Sequence, residues 1–261
     1  MDPLGNQNPE VKRLRALLRD RGARNEHGVF VCEGPRVVSA AIDLGAPFEA
    51  VFVGVDATAA ATAVADRAVE YFIPVRHLGP GVAEKLSATV NAQGVFAVIP
   101  FQRLGVDALA GLSLALVAPH IGDPGNAGTL MRSAAAAGAE VIVLGPGSVD
   151  AYNPKTVRAS AGACFAVRIV EGVPAVEALE ALGNAGVHRV GAVASGGDLP
   201  EAVDLTGPTA IVLGHEVHGL ARDLPLDAQI TIPMQGAESL NVGMAGTLLL
   251  FEAARQRRAN A

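Results

Sequence analysis

Residues 232–251 read Ile-Pro-Met-Gln-Gly-Ala-Glu-Ser-Leu-Asn-Val-Gly-Met-Ala-Gly-Thr-Leu-Leu-Leu-Phe. They follow Gln229-Ile-Thr-Ile, which reads as the end of a strand, and pass through a short polar turn. The pattern predicts a helix from about 240 to 258, with Ser239 as the N-cap whose hydroxyl takes a free N–H of the first turn. Val242, Gly243 and Gly246 fall on or near one side of that helix. Each glycine costs about 1 kcal/mol against alanine in a helix interior. Two of them within the first turns therefore signal a helix pressed against another backbone or a flat ligand, where a side chain would not fit.

Upstream, alternating strands and helices predict an α/β unit with a parallel sheet covered on both faces. Strands are expected at 112–118, 140–144, 165–169, 187–193 and 210–213, with helices near 152–163 and 173–182. The run Leu112-Ser-Leu-Ala-Leu-Val-Ala has the continuous apolar character of a buried parallel strand. It leads into Pro119-His-Ile-Gly-Asp-Pro-Gly-Asn-Ala-Gly-Thr-Leu-Met-Arg132, a glycine-rich turn opening a helix, the arrangement that cradles ligands. Its glycines do not fit G-x-G-x-x-G, and no G-x-x-x-x-G-K-[ST] is present, so dinucleotide and P-loop signatures fail. A helix starting near Asn126 would carry Asn126 and Arg132 on the same general side. Each alone reads as ordinary, an N-cap asparagine and a surface arginine; together they suggest a site. A third stretch, Leu213-Gly-His-Glu-Val-His-Gly-Leu220, follows the last apolar strand. Its His215 and His218 are three apart, whereas a zinc H-E-x-x-H helix needs four, and no Cys/His cluster supports a metal.

Taken in order, these stretches resemble the three motifs of the SpoU (TrmH-like) family of RNA ribose 2′-O-methyltransferases in the SPOUT superfamily. The first is Asp123-Pro-x-Asn126-x-Gly128-x-x-x-Arg132. The second matches at Gly214, Glu216, Gly219 and Leu220, with His215 where many members carry asparagine. The third is Ile232-Pro-Met-x-Gly-x-Glu-Ser-Leu-Asn-Val242. Asn153-Pro-Lys and Ser160-x-Gly-Ala163 are also family-like, and some close relatives confer thiopeptide resistance. The resemblance implies a SPOUT domain, a parallel sheet closed by a deep C-terminal trefoil knot, around S-adenosylmethionine. It assigns cofactor binding to Leu213, Gly214, His215, Glu216, Val217, Ile232, Met234, Ser239, Leu240 and Val242. It assigns the chemistry to Arg132, Asn126, Ser239, Asn241 and Glu216, and homodimer packing to the last helix. Arginine keeps its proton, with a pKa above about 12, so Arg132 suits a clamp for phosphate and growing negative charge better than a base.

Residues 1–105 read as a smaller α/β unit, 106–111 as a linker and 112–261 as the methyltransferase domain. Pro100-Phe-Gln-Arg-Leu-Gly105 breaks the alternating pattern. Strands are expected at 28–34, 48–53, 71–75 and 94–99. Helices are expected at 11–18, 36–44, 57–69 and 80–86. Asn8-Pro-x-Val-Lys, Arg24-x-x-x-Gly-x-Phe-x-x-Glu-Gly34 and Asn91-Ala-Gln-Gly-Val-x-Ala-Val98 resemble the ribosomal-protein-like substrate-binding domain that precedes many SpoU catalytic domains. The net charge of −6 opposes a nucleic-acid partner, but residues 1–30 carry +2, leaving −8 for the rest. Phosphate binding needs a local basic face only. Arg13, Arg24 and Arg36 are the candidate RNA contacts.

The two cysteines, Cys32 and Cys164, lie in apolar surroundings and read as buried thiols. No signal-like start and no apolar run of membrane-spanning length occurs, which points to the cytoplasm. The long N-terminal unit favours ribosomal RNA over tRNA as substrate. The rival readings are a non-catalytic RNA-binding protein of the same fold and an α/β enzyme acting on small molecules.

Overall fold

The structure is a computed structural model that describes residues 2–89, 91–215, 218–236 and 239–260. It divides into two compact units. The first contains Met1–Gln102 and Tyr152–Phe165; the second contains Arg103–Ala151 and Ala166–Ala261.

The first unit holds a four-stranded sheet in the order β1-β4-β2-β3, from β1 (Val29–Glu33), β2 (Ala50–Gly54), β3 (Val75–Leu78) and β4 (Val95–Pro100). β4 runs antiparallel to both neighbours, and β2 and β3 are parallel. Helix α1 (Pro9–Arg19) starts at Asn8, whose side chain accepts from the Glu10 N–H at 2.8 Å. Its apolar row, Val11, Leu14 and Leu17, is buried against the sheet with Phe52, Phe96 and Leu78. α2 (Arg21–His27), α3 (Pro35–Asp43), α4 (Ala59–Glu70) and α5 (Val82–Leu86) complete the layers. The strand expected at 71–75 forms instead at 75–78, because 71–73 close the end of α4 and Pro74 has no N–H for a ladder.

Residues 152–165 follow the second unit's early strands in sequence yet pack in the first unit. Asn153 caps α7 (Pro154–Ser160), accepting from the Lys155 N–H at 2.9 Å. Arg158 donates to the buried Glu33 carboxylate at 2.9 Å, and Tyr152 stacks on Phe101 with centroids 4.6 Å apart. Gly162 has φ +96°, and an added Cβ there would sit 2.4 Å from the Ala40 side chain. Cys32 and Cys164 are free and buried, and burial pushes both thiols up, Cys164 to about 11.

The second unit is a six-stranded, wholly parallel sheet in the order β10-β8-β9-β5-β6-β7. The strands are β5 (Leu114–Ala118), β6 (Val141–Leu144), β7 (Arg168–Glu171), β8 (His188–Val193), β9 (Thr209–Val212) and β10 (Ala228–Thr231). Helices α6 (Pro124–Ala137), α8 (Ala175–Asn184) and α9 (Val242–Ala259) cover it. Of residues 106–111, the expected linker, 106–109 form a 3-10 turn whose Leu109 is buried with Leu112, Leu179 and Leu182. The chain builds β5, β6 and β7 outward in one direction, then returns to lay β9 on the other side of β5. The carboxyl ends of strands at such a reversal form a crevice where α/β proteins bind ligands.

α9 lies against α6. Gly246 faces Leu130 and Leu213, Gly243 faces Asn126 and Thr129, and the Ser133 and Thr247 hydroxyls meet at 2.6 Å. The last turn of α9 is tied down by Arg257, which donates to the carbonyls of Ser113 at 2.8 Å, Leu205 at 3.0 Å and Gly207 at 2.7 Å.

Candidate active site

The crevice carries a cavity of about 570 Å³, within the ordinary size range of small-molecule and cofactor sites. It opens at the carboxyl ends of three adjacent strands. Ala192, Val193 and Ala194 come from the end of β8, Leu213, Gly214 and His215 from beyond β9, and Ile232 and Met234 from beyond β10. Ser239, Leu240, Asn241, Val242 and Ala245 close it from the start of α9, and Asn126 from the start of α6.

Two helix starts set the polar end of this cavity, and both differ from the sequence expectation. α6 begins at Pro124, not near Asn126; Asp123 is its N-cap and accepts from the Asn126 N–H at 2.8 Å. α9 begins at Val242 with Asn241 as N-cap, so Ser239 does not cap it. Asn241 Oδ1 accepts from the N–H groups of Gly243 at 2.8 Å and Met244 at 3.3 Å, while its Nδ2 donates to Asn126 Oδ1 at 3.0 Å. Asparagine wins this position because it offers an acceptor to the helix and a donor to its neighbour together. Ser239, relieved of the capping role, is exposed at the cavity rim.

Of the expected cofactor residues, Leu213, Gly214, His215, Ile232, Met234, Ser239, Leu240 and Val242 all line the cavity. Glu216 and Val217 lie outside the described residues. Of the expected catalytic residues, Asn126, Ser239 and Asn241 converge there, and Arg132 does not. Asn126, Leu130 and Ser133 form the α6 row facing α9; six residues on from Asn126 at about 100° each, Arg132 points well away from that row. It is exposed and makes no hydrogen bond or ion pair among the described residues.

The wall at His215 has an element the sequence did not reveal. His120, in the loop after β5, stacks on His215 with ring centroids 4.4 Å apart and planes 12° from parallel, and His218 tilts against His215 at 4.8 Å. His120 Nδ1 is buried with no hydrogen-bond partner among the described residues. Ala192, Val193, Ala194, Gly219 and Ala245 were also not foreseen as liners. Only the strand order brings the end of β8 beside β9 and β10, so no local motif could have flagged 192–194.

The cavity's chemistry suits S-adenosylmethionine. Leu213, Ile232, Leu240, Val242 and Ala245 supply apolar walls for a flat ring, and residues beyond three parallel strand ends offer backbone donors and acceptors to read its edge. Asn126, Ser239 and Asn241 supply neutral polar groups at the other end. None of the described liners carries a carboxylate, an ammonium or a guanidinium.

Residues 113–251 match the SpoU rRNA Methylase family, more than half of the chain. The chain belongs to this family. Residues 8–97 match the MRM3-like substrate binding domain. An uncharacterized tRNA/rRNA methyltransferase of Synechocystis is 31% identical over 96% of this chain and 92% of its own length. The 23S rRNA (uridine(2479)-2′-O)-methyltransferase of Streptomyces viridochromogenes is 31% identical, covering 97% of this chain and 91% of that protein. The AdoMet-bound rRNA methyltransferase from Sinorhizobium meliloti superposes with a TM-score of 0.85 at 28% identity, covering 97% of both chains.

The three arginines expected to touch RNA have three different fates in the first unit. Arg24 is buried, 3% exposed, and its Nη1 donates to the Leu17 carbonyl at 2.7 Å, so it ties α2 to α1 and presents no surface to phosphate. The local excess of positive charge in residues 1–30 had suggested a basic face, but this arginine points inward. Arg13 forms a surface ion pair with Glu49 at 2.8 Å. Arg36, at the start of α3, is exposed with no hydrogen bond or ion pair among the described residues.

Proposed function

We propose that this SpoU-family chain methylates a ribose 2′-hydroxyl of ribosomal RNA with S-adenosylmethionine as donor. The observation that carries the reading is the cavity at the carboxyl ends of β8, β9 and β10, lined by residues from two of the family's motif stretches and by Asn126 of the third. When bound, S-adenosylmethionine supplies an electrophilic methyl group on a sulfonium, so the cofactor brings the reactive bond. The protein's contribution is position and electrostatics. Leu213, Ile232, Leu240 and Val242 hold the cofactor, and Asn126 and Asn241 fix the polar end against α9. Ser239 at the rim orients the ribose, with Glu216 as a further polar partner.

Arg132 acts on the RNA. Its cationic guanidinium makes no hydrogen bond or ion pair among the described residues, which suits it to clamp the neighbouring phosphate and the negative charge growing on the attacking oxygen. Arg36, with Arg13, provides the RNA contact of the N-terminal unit, the substrate-binding domain of this reading.

The functional form in this reading is a homodimer built on α9. Met244, Leu248 and Phe251 recur at helical spacing on that helix and are 61%, 50% and 43% exposed, an apolar stripe that a second copy would cover. The C-terminal segment forms the trefoil knot of the superfamily. What supports this is the course of α9, which starts at the strand carboxyl ends and finishes bonded to Ser113, Leu205 and Gly207, beside the amino ends of β5 and β9. We place the protein in the cytoplasm; no helix among the described residues is long and apolar enough to cross a membrane.

The test is methyl transfer from labelled S-adenosylmethionine to unmodified ribosomal RNA and to tRNA, followed by nucleoside mass spectrometry. A 2′-O-methyl nucleoside from ribosomal RNA is expected, and Arg132→Ala should abolish it while cofactor binding survives. Label confined to tRNA would overturn the substrate, and label on a base would overturn the chemistry. Loss of cofactor binding in Arg132→Ala would make that residue structural.

A further inference from the structure

α4 ends in a Schellman motif: the Ile73 N–H bonds the Ala68 carbonyl and the Phe72 N–H the Val69 carbonyl, both at 2.9 Å. This places Phe72 at the left-handed position, φ +59°, where glycine or asparagine is the usual occupant. A bulky side chain there is a genuine outlier. Burial does not explain it, since Phe72 is 95% exposed, the most exposed large hydrophobic residue described. Neither the backbone nor the core selects phenylalanine at this position.

Its surroundings narrow what would. Phe72 borders a groove of about 430 Å³ lined by Ala65, Val69, Ile73 and Val75, with Asp66 at its rim. Tyr71 and Val69, both more than half exposed, adjoin it, and Leu44 is exposed at the end of α3. Arg67 donates to Ser39 and Asp43, which brings the carboxyl-terminal ends of α3 and α4 together, and its guanidinium lies 5.4 Å from the Tyr71 ring centroid. The carboxyl-terminal ends of two helices add partial negative charge to this surface. Asp66 and Glu70 are exposed carboxylates with no hydrogen bond or ion pair among the described residues. The cations nearby, Arg67 and Arg76, are already paired with Asp43 and Glu10. Arg36, exposed and without a hydrogen bond or ion pair among the described residues, sits at the opposite end of α3.

We infer that this end of the N-terminal unit is a docking site for a cationic protein segment, one that sets an apolar side chain against Phe72 and in the groove while its lysines or arginines face Asp66 and Glu70. An apolar anchor flanked by opposite charge is a standard division of labour at such sites, the anchor giving affinity and the charges register. Nucleic acid does not fit, because its phosphates would meet unpaired carboxylates and helix carboxyl ends.

The test uses the full chain and a short synthetic peptide of lysine, glycine and serine with one central phenylalanine, beside the same peptide with serine at that position. Calorimetric titration should show the phenylalanine peptide binding roughly tenfold more tightly. Phe72→Gly should erase that difference while raising the unfolding midpoint, since it relieves the left-handed phenylalanine. Asp66→Asn with Glu70→Gln should weaken both peptides and flatten the salt dependence. Equal binding of both peptides by the wild type, or unchanged discrimination in Phe72→Gly, overturns the proposal. A drop in RNA affinity in Phe72→Gly would assign the patch to nucleic acid, and a change in sedimentation to a second copy; either also overturns it.

Discussion

Replacing Gly246 with alanine tests whether the closeness of α9 and α6 shapes the cavity. An added Cβ at Gly246 would lie 2.5 Å from Leu130 Cδ2 and 3.0 Å from Leu213 Cδ1. Both leucines are at most 1% exposed, so neither has free space on the protein side. Leu130 is held within α6, whereas Leu213 borders the cavity and can move only into it. Overpacking of this kind costs about 1–3 kcal/mol. Alanine in place of glycine inside a helix returns about 1 kcal/mol. The net expectation is a loss of roughly 0–2 kcal/mol in stability. A displacement of Leu213 that removes about 1 kcal/mol of cofactor contact raises the dissociation constant roughly fivefold. Urea unfolding and titration with S-adenosylmethionine read the two effects separately. Leu130→Val, which shortens the closest neighbour, should recover part of the stability in the Gly246→Ala background, as a coupled pair does in a double-mutant cycle. A Gly246→Ala protein stabilised by the full helix-propensity gain, with unchanged cofactor affinity, would refute the reasoning.

Three further predictions concern capping, charge and assembly. Asn241→Ala removes the acceptor for two N–H groups of α9 and the donor to Asn126, so stability should fall by about 1–2 kcal/mol, with a larger loss in methyl transfer than the Asn241→Asp variant, which keeps the cap. Asp227 bonds Arg189 through both carboxylate oxygens, and this partner holds its pKa down from 3.8 to about 2. A depressed carboxylate stabilises the fold above its unfolded pKa, so this contribution is complete above pH 3.8 and lost as pH falls toward about 2. Urea unfolding across that window should show a shallower decline in Asp227→Asn. Leu248→Glu puts a charge in the exposed stripe of α9 and should yield a monomer by sedimentation with each chain still folded; a dimer that persists would move the interface elsewhere.

Much of the second unit was legible because its determinants are local. The strands at 114–118 and 141–144 are continuous apolar runs, and a run of that kind is bounded by its own ends. The paired glycines of α9 announced a close approach: Gly246 meets the side chains of Leu130 and Leu213, and Gly243 those of Asn126 and Thr129. The misreadings fall where distant contacts decide. Arg24 looked like one more charge of a basic N-terminal stretch, yet the break at Asp20 turns the chain and brings its guanidinium back to the Leu17 carbonyl. Tyr71-Phe-Ile-Pro-Val has strand-like composition, but the Schellman closure of α4 takes its first residues and parallel pairing with β2 recruits Arg76, His77 and Leu78 instead. Residues 152–163 read as a helix between two strands of one sheet, and nothing local says that Tyr152 will stack on Phe30 and Phe101, in the first unit.

The motif residues also show why a capping role and a catalytic role are poor alternatives to choose between. Taken singly, an asparagine before a helix is a cap, and Asn241 is one. Its Oδ1 is committed to the first turn of α9, which fixes the rotamer and thereby aims Nδ2 at Asn126. The cap is what pre-orients the polar end of the cavity, so the side chain that builds the helix start is also the one that the proposed function uses. Arg132 is the opposite kind of motif residue. Its removal leaves no internal group unsatisfied, because it bonds none among the described residues. Stability therefore has no claim on it, and a large kinetic effect of Arg132→Ala in a protein of unchanged stability would have to come from the RNA side of the reaction. Asn241→Ala should instead lower stability and rate together. That contrast separates the two kinds of residue by measurement, where spacing in the sequence gave them equal standing.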